Sequence, residues 1–169
     1  GYGYAGAMAR LVITDASPLI GLSVVCGLEW LSRLFGEVWM PQEVRLEVLS
    51  GSVSRGESEI RLALQKGWLK VWPEAVTPDT SFNLDEGESA CIQIALDHHD
   101  ETLLIMDEHA GRAVAQENAL QVAGTAAIIG MAKKCGLIPS AREVFATLHL
   151  SDFRVSATVI KTILDRVGE

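Results

Sequence analysis

Leu11-Val12-Ile13-Thr14-Asp15 and Leu103-Leu104-Ile105-Met106-Asp107 decide how this chain is read, because each is a short apolar run that stops on an aspartate. Apolar runs of this length fit strands covered on both faces of a parallel sheet. Two such strands in one sheet deliver both carboxylates to its carboxyl edge, where open α/β folds place their ligands. Carboxylates gathered without compensating cations repel one another. A bound divalent cation is the economical way to keep several of them ionised, so the first expectation is a metal-dependent enzyme.

Outward from the first run, a strand is predicted at 10–14, followed by Asp15-Ala16-Ser17-Pro18, where Ser17 suits an N-cap and Pro18 the first helical position. An apolar helical stretch continues to about 35. A β-prone piece at 37–40 precedes Pro41, which opens a helix to about 49, and 51–56 reads as loop. Helical spacing of Ile60, Leu62 and Leu64 predicts a helix at 57–66, closed by Gly67 ahead of a strand at 68–72. Residues 73–83 read as loop.

Outward from the second run, Ala90, Cys91, Ile94 and Ala95 predict a core-facing helix at 86–98. The strand at 102–106 leads to a helix at 108–117, a strand at 120–123 and a helix at 125–134. Strands alternating with helices imply parallel βαβ units with right-handed crossovers. Past Gly136 the pattern is helical only, with a capping-box signature at Ser140-Ala141-Arg142-Glu143 and a last amphipathic helix at 155–167. The expectation is a single α/β domain over 9–169, a small parallel sheet between helical layers, with 139–169 packed back on it as a helical tail.

Composition narrows the function classes. The 169 residues are about half apolar, enough for one substantial core. A formal charge of −8 argues against a sequence-nonspecific nucleic-acid coat, whose affinity comes mostly from cations that neutralise phosphates. It is compatible with an acidic metal nuclease that holds its substrate through the ion and a few local basic residues. Cys26, Cys91 and Cys135 are odd in number and sit in apolar helical patterns, which predicts reduced, buried thiols and a cytoplasmic protein. Residues 1–8, opening Gly1-Tyr2-Gly3-Tyr4-Ala5-Gly6-Ala7, read as an expression scar ahead of a natural start near Met8. No apolar stretch reaches the roughly 18 residues of a membrane span.

Further acids join the two aspartates by position. A helix entering the sheet layer from the carboxyl edge has its first turn beside the strand ends, which points to Glu88 within the acidic group Asp85, Glu86 and Glu88. The helix dipole alone would also favour an acid there. In the Pro41 helix, Glu43 and Glu47 are both open, and geometry leans toward Glu43 because Glu47 lies roughly 9 Å along the axis. Thr125 is expected to cap its helix at the same edge; capping alone would explain it, and a bond to a metal-held water is the sharper reading.

The order Val12-Ile13-Thr14-Asp15-Ala16-Ser17-Pro18-Leu19-Ile20, Pro41-Gln42-Glu43-Val44-Arg45-Leu46-Glu47, Leu84-Asp85-Glu86-Gly87-Glu88-Ser89-Ala90, Leu104-Ile105-Met106-Asp107-Glu108-His109-Ala110-Gly111-Arg112 and Val122-Ala123-Gly124-Thr125 resembles the PIN-domain nucleases. It looks most like the branch that includes toxins of the VapC type, and the likeness covers nearly everything from Arg10 on. The resemblance implies a three-layer fold and Mg²⁺- or Mn²⁺-dependent hydrolysis of RNA phosphodiesters. It implies that the site acids are Asp15, Glu47, Glu88 and Asp107, which replaces Glu43 by Glu47. Two positions depart from the family pattern: Glu108 stands where a second Asp is frequent, and Thr125 where many relatives carry an acid. A one-metal site is therefore better supported than a two-metal site. A small antitoxin filling the acidic groove, and homodimerisation, are also implied.

Hard oxygen ligands with retained waters suit Mg²⁺ or Mn²⁺. The expected roles are Asp15, Glu88 and Asp107 as metal ligands and Glu47 orienting or deprotonating the attacking water. Ser17 and Thr125 are expected to steer waters, and Glu108 and Arg112 to stand beside the acids or a phosphate. Two other function classes stay open: a phosphatase using Asp15 as nucleophile, and a metal-free binding module. Asp15-Ala16-Ser17 lacks a second acid two residues on, and no phosphate-cradling glycine loop follows, which counts against the phosphatase. Asp97-His98-His99-Asp100 and His109 read as surface residues at helix ends. Trp30, Trp39, Trp68 and Trp72 read as too scattered to form a stacking platform. Lys133, Lys134 and Arg55 are candidate phosphate contacts for which solvated charge suffices as an explanation.

Overall fold

The computed structural model describes residues 11–51, 56–98 and 101–169. The start region 1–8, Arg10, Arg55, His99 and Asp100 lie outside the described residues. Five strands, β1 (Leu11–Thr14), β2 (Val38–Met40), β3 (Leu69–Val71), β4 (Thr102–Ile105) and β5 (Gln121–Ala123), form one all-parallel sheet in the order β3-β2-β1-β4-β5. The described helices are α1 (Ala16–Val24), α2 (Glu29–Phe35), α3 (Gln42–Val48), α4 (Glu57–Lys66), α5 (Glu86–Asp97), α6 (His109–Glu117), α7 (Thr125–Lys134), α8 (Ala141–Leu148) and α9 (Ala157–Arg166), with a 3₁₀ turn at Thr80–Phe82. The sheet is thus flanked by helices in an α/β fold, as the alternating pattern predicts.

The strand order reverses direction between β1 and β4, which makes their carboxyl ends the topological switch point. Register brings those ends level. Thr14 lies opposite Ile105, and Ile105 opposite Ala123. The Asp15 amide closes the ladder by donating to the Ile105 carbonyl at 2.9 Å, and Met106 does the same to Ala123 at 2.9 Å. Asp15, Asp107 and Gly124 therefore step out of the sheet together at one edge.

The core explains why the apolar runs are strands. β4 is buried at all four positions and β1 at three of four, so neither face needs polar alternation. α5 packs on β1 and β4 and stands beside α3 and α6, while α7 packs with α1, α2, α8 and α9. Among the described residues no single helix is long and apolar enough to cross a membrane.

The structure corrects four local expectations. The helical stretch to 35 is two helices, bent by 115° between α1 and α2. Cys26 enters the left-handed region (φ 56°), and a side chain on Gly27 would run into the Trp30 ring, so the chain turns where apolar content alone suggested continuity. The N-cap of α1 is Asp15 and the helix starts at Ala16, which puts Pro18 third in the helix and frees the Ser17 hydroxyl for a distant partner. At α8, Ser140 accepts from the Glu143 amide, but among the described residues Glu143 makes no return bond and Glu169 binds the helix start instead. The Glu169 carboxylate accepts from the Ala141 amide at 2.6 Å and from the Ser140 hydroxyl at 2.8 Å. Finally, only Cys91 is buried; Cys26 and Cys135 are exposed, and all three are free thiols.

Candidate active site

Each acid reaches the sheet edge by a different route. Asp15 and Asp107 follow β1 and β4 directly, whereas Glu88 stands in the first turn of α5 and Glu47 near the end of α3. Asp15 and Glu88 are each only 5 % exposed. Burial, then the charges of Asp85, Glu88 and Glu47, push the Asp15 carboxyl up to about 7, against a downward pull from the Ala16 amide. Burial likewise lifts Glu88 to about 7, with Asp85 and Glu108 adding repulsion. Glu47, on the exposed rim, is raised by partial desolvation and by Asp85. These acids thus feel one another across stretches of chain far apart in sequence.

Asp107 is held from two sides. Its Oδ1 accepts from the Thr125 amide at 2.8 Å, and its Oδ2 from the Thr125 hydroxyl at 2.8 Å and the Ser17 hydroxyl at 3.2 Å. Thr125 and Ser17 open α7 and α1, so the two helix starts clamp one carboxylate. Sequence reasoning places both hydroxyls at the site but gives Ser17 and Thr125 capping roles that Asp15 and Gly124 occupy instead.

Glycines clear space beside three of the acids. A Cβ on Gly87 would stand 3.2 Å from Asp15 Oδ1; one on Gly111 would stand 3.2 Å from Glu88 Oε2 and 2.6 Å from Met106 Sδ. A Cβ on Gly124 would stand 2.8 Å from both Asp107 Oδ1 and Arg112 Nη1. These positions were not singled out from sequence, since a glycine near a helix start has no signature of its own. Asp85, passed over in favour of Glu88 by first-turn placement, stands with the acids. It is the N-cap of α5, accepting from the Glu88 amide at 2.8 Å while Glu88 Oε1 accepts from the Asp85 amide at 3.3 Å. The spacing Asp85-x-x-Glu88 is a capping-box signal that could have found it.

The donor set fits a hard divalent cation. All the converging groups are carboxylates, and Glu88 Oε2 is buried without a hydrogen-bond partner, an unmet acceptor that a cation or its water would satisfy. Among the described residues no three His, Cys, Asp or Glu side chains stand close enough to grip one ion directly. Water bridges would therefore complete the shell, which suits an ion that dehydrates reluctantly.

Other candidate residues do not join the acids as ligands. Arg112 makes no ion pair among the described residues; its Nη1 donates to the Met106 carbonyl at 3.4 Å. Cys91 donates to the Thr14 carbonyl at 3.4 Å and its thiol is pushed up by burial, so it is a packing residue. Trp39 and Trp72 are less scattered than their spacing suggested: parallel pairing of β2 with β3 brings their rings to 5.5 Å, edge to face. His98 adds a third ring 5.2 Å from Trp72.

A family model described as a PIN domain matches residues 11–169. No curated protein matches the sequence. Among solved structures, the chain is similar to a PilT N-terminus domain protein from the hyperthermophilic archaeon Sulfolobus solfataricus, with a TM-score of 0.50 and 14 % identity over 87 % of this chain and 100 % of that one. At that identity the likeness shows the fold alone.

Proposed function

The chain belongs to the PIN-domain family, whose members are generally nucleases that use divalent metals, and from that premise we propose that it is a Mg²⁺- or Mn²⁺-dependent endoribonuclease. The observation that carries the proposal is the buried, unpartnered Glu88 Oε2, which shares the field of Asp15 at the switch point of the sheet, the edge from which Asp107 also emerges. Asp15, Glu88 and Asp107 are the groups that would hold the ion. When bound, the cation would offset their mutual repulsion, lower the pKa of water and stabilise charge on the phosphoryl oxygens.

The chain's own part is orientation and proton transfer. Thr125 and Ser17 fix both oxygens of Asp107, so its lone pairs are aimed before substrate arrives. Glu47, on the solvent-facing rim with its carboxyl already lifted, takes the proton from the attacking water. The leaving ribose oxygen is protonated by solvent. The same proposal includes the biological setting that the resemblance implies, a toxin held by a small antitoxin and working as a homodimer.

Cleavage of a panel of defined tRNAs and mRNAs in Mg²⁺, Mn²⁺ or EDTA tests the reading. Cleavage should require the metal and fall by at least about a hundredfold in Asp107→Asn, which keeps an acceptor for the Thr125 amide but loses the charge. Undiminished cleavage in EDTA would overturn it.

A further inference from the structure

Beyond Asp107 the site does not end at open solvent. A groove of about 760 Å³ runs from Ser17, Asp107 and Glu108 to the C-terminal helix α9, in the size range of sites that engulf a ligand of several rings. Arg112 and Arg166, the latter exposed in the last turn of α9, both line it. Neither arginine makes an ion pair among the described residues. By contrast Lys66, Lys70, Lys133 and Lys161 are each tied to an acid. In a chain of net charge −8, two arginines that line one cleft without an ion pair among the described residues mark where an anion is received.

The groove also carries an aromatic surface. Phe153 lies over Gly21 of α1, where an added Cβ would meet its ring at 2.8 Å, and the rest of its half-buried side chain lines the groove. Arg154 holds that turn in shape, its Nη1 donating to the carbonyls of His149, Ser151 and Phe153. An aromatic ring and two guanidinium groups lining one cleft are the combination that tracks an unpaired strand: cations take phosphates and the ring takes a base face. Asp152 and Glu108 line the same cleft, so the attraction is local to the arginines rather than spread over the wall.

Building on the nuclease reading, we infer that this groove is the binding track for single-stranded RNA on one side of the scissile phosphate, with Arg112 and Arg166 on the backbone and Phe153 under a base. A duplex presents no free base face to Phe153. Recognition of this kind is tolerant of sequence, because every base has a π-face. Arg154 is a positioning residue that acts through the turn carrying Phe153.

The test measures binding and chemistry separately on the full chain. Binding is read by anisotropy of a labelled, unstructured mixed-sequence oligoribonucleotide in EDTA; chemistry is read by hydrolysis of bis(p-nitrophenyl) phosphate in Mn²⁺, which is too small to use the groove. Arg166→Ala should weaken RNA binding several-fold and flatten the log-log salt dependence by about 0.7. Phe153→Ala should weaken it about tenfold, and Phe153→Leu, which keeps an apolar contact on Gly21, should weaken it as well. Hydrolysis of the small diester should be unchanged in Arg166→Ala.

Wild-type RNA affinity in both Arg166→Ala and Phe153→Leu overturns the inference, as does a fully paired duplex that competes as well as the single strand. If the small diester is not hydrolysed by the wild type while Arg166 and Phe153 still control RNA binding, the groove assignment stands and the nuclease reading falls.

Discussion

Gly124 shows how much of this site depends on atoms that are missing. Its hydrogen faces Asp107 Oδ1 and Arg112 Nη1, and a methyl group there would come within 2.8 Å of both. Gly124→Ala should therefore displace the Asp107 carboxylate from Thr125, cutting metal-dependent RNA cleavage by at least about tenfold while lowering stability by only about 1–2 kcal/mol. Paired turnover and thermal-melt measurements check this; equal turnover in the two proteins would show that Asp107 tolerates the shift. At the same scale, Asp85 and Ser17 show why sequence reading stops short. Both sit at helix starts where a capping role explains them, yet Asp85 bears electrostatically on three other acids and Ser17 reaches a carboxylate ninety positions away.

Among the elements, α4 was legible to the residue, because helical spacing runs up to Gly67 and Gly67 supplies the left-handed C-cap (φ 87°). Its other end depended on a contact no local pattern carries. Gly56 has φ 83° and would place a Cβ 2.4 Å from that of Ser23, a buried residue of α1. Gly56→Ala combines a left-handed backbone penalty with a clash against buried structure, and we expect a loss of about 2 kcal/mol or more in denaturant unfolding. A loss below about 0.5 kcal/mol would mean that α4 docks on α1 loosely. The break between α1 and α2 belongs to the same class: apolar content predicts burial on both sides of Cys26 and cannot tell that the chain turns there.

Across the whole molecule, the acids make stability depend on pH in a defined direction. Asp15 has its carboxyl raised from 3.8 to about 7 in the folded protein and Glu88 from 4.5 to about 7, so between about pH 4 and 7 the folded state binds more protons than the unfolded chain. Stability from these groups is fully present below their unfolded values and lost as pH rises through about 7. Glu169 and Asp79 are shifted downward from ordinary values of 4.5 and 3.8, so their opposite effect is confined to the low end of that window and below it. In EDTA the protein should melt several degrees higher at about pH 5.5 than at about pH 8, and saturating Mg²⁺ should shrink the gap by raising the melting temperature at the higher pH. A melting temperature in EDTA that rises with pH over this range would contradict the burial of the two carboxyls.

What the sequence determined by itself was the succession of elements and the station of the main acids along them. Strand ends, helix starts and caps are set by residues within a few positions of one another, and apolar periodicity reports burial directly, so Asp15 and Asp107 at strand ends and Glu88 in a first turn were readable without coordinates. Tertiary structure alone decided which of these groups feel one another. The level register of β1, β4 and β5, the clamp of Ser17 and Thr125 on Asp107, the glycines that keep space beside Asp15, Glu88 and Asp107, and the gathering of Arg112, Arg166 and Phe153 along one groove all join segments distant in the chain. Their proximity follows from how the helices pack around the sheet, a long-range outcome that no local spacing encodes.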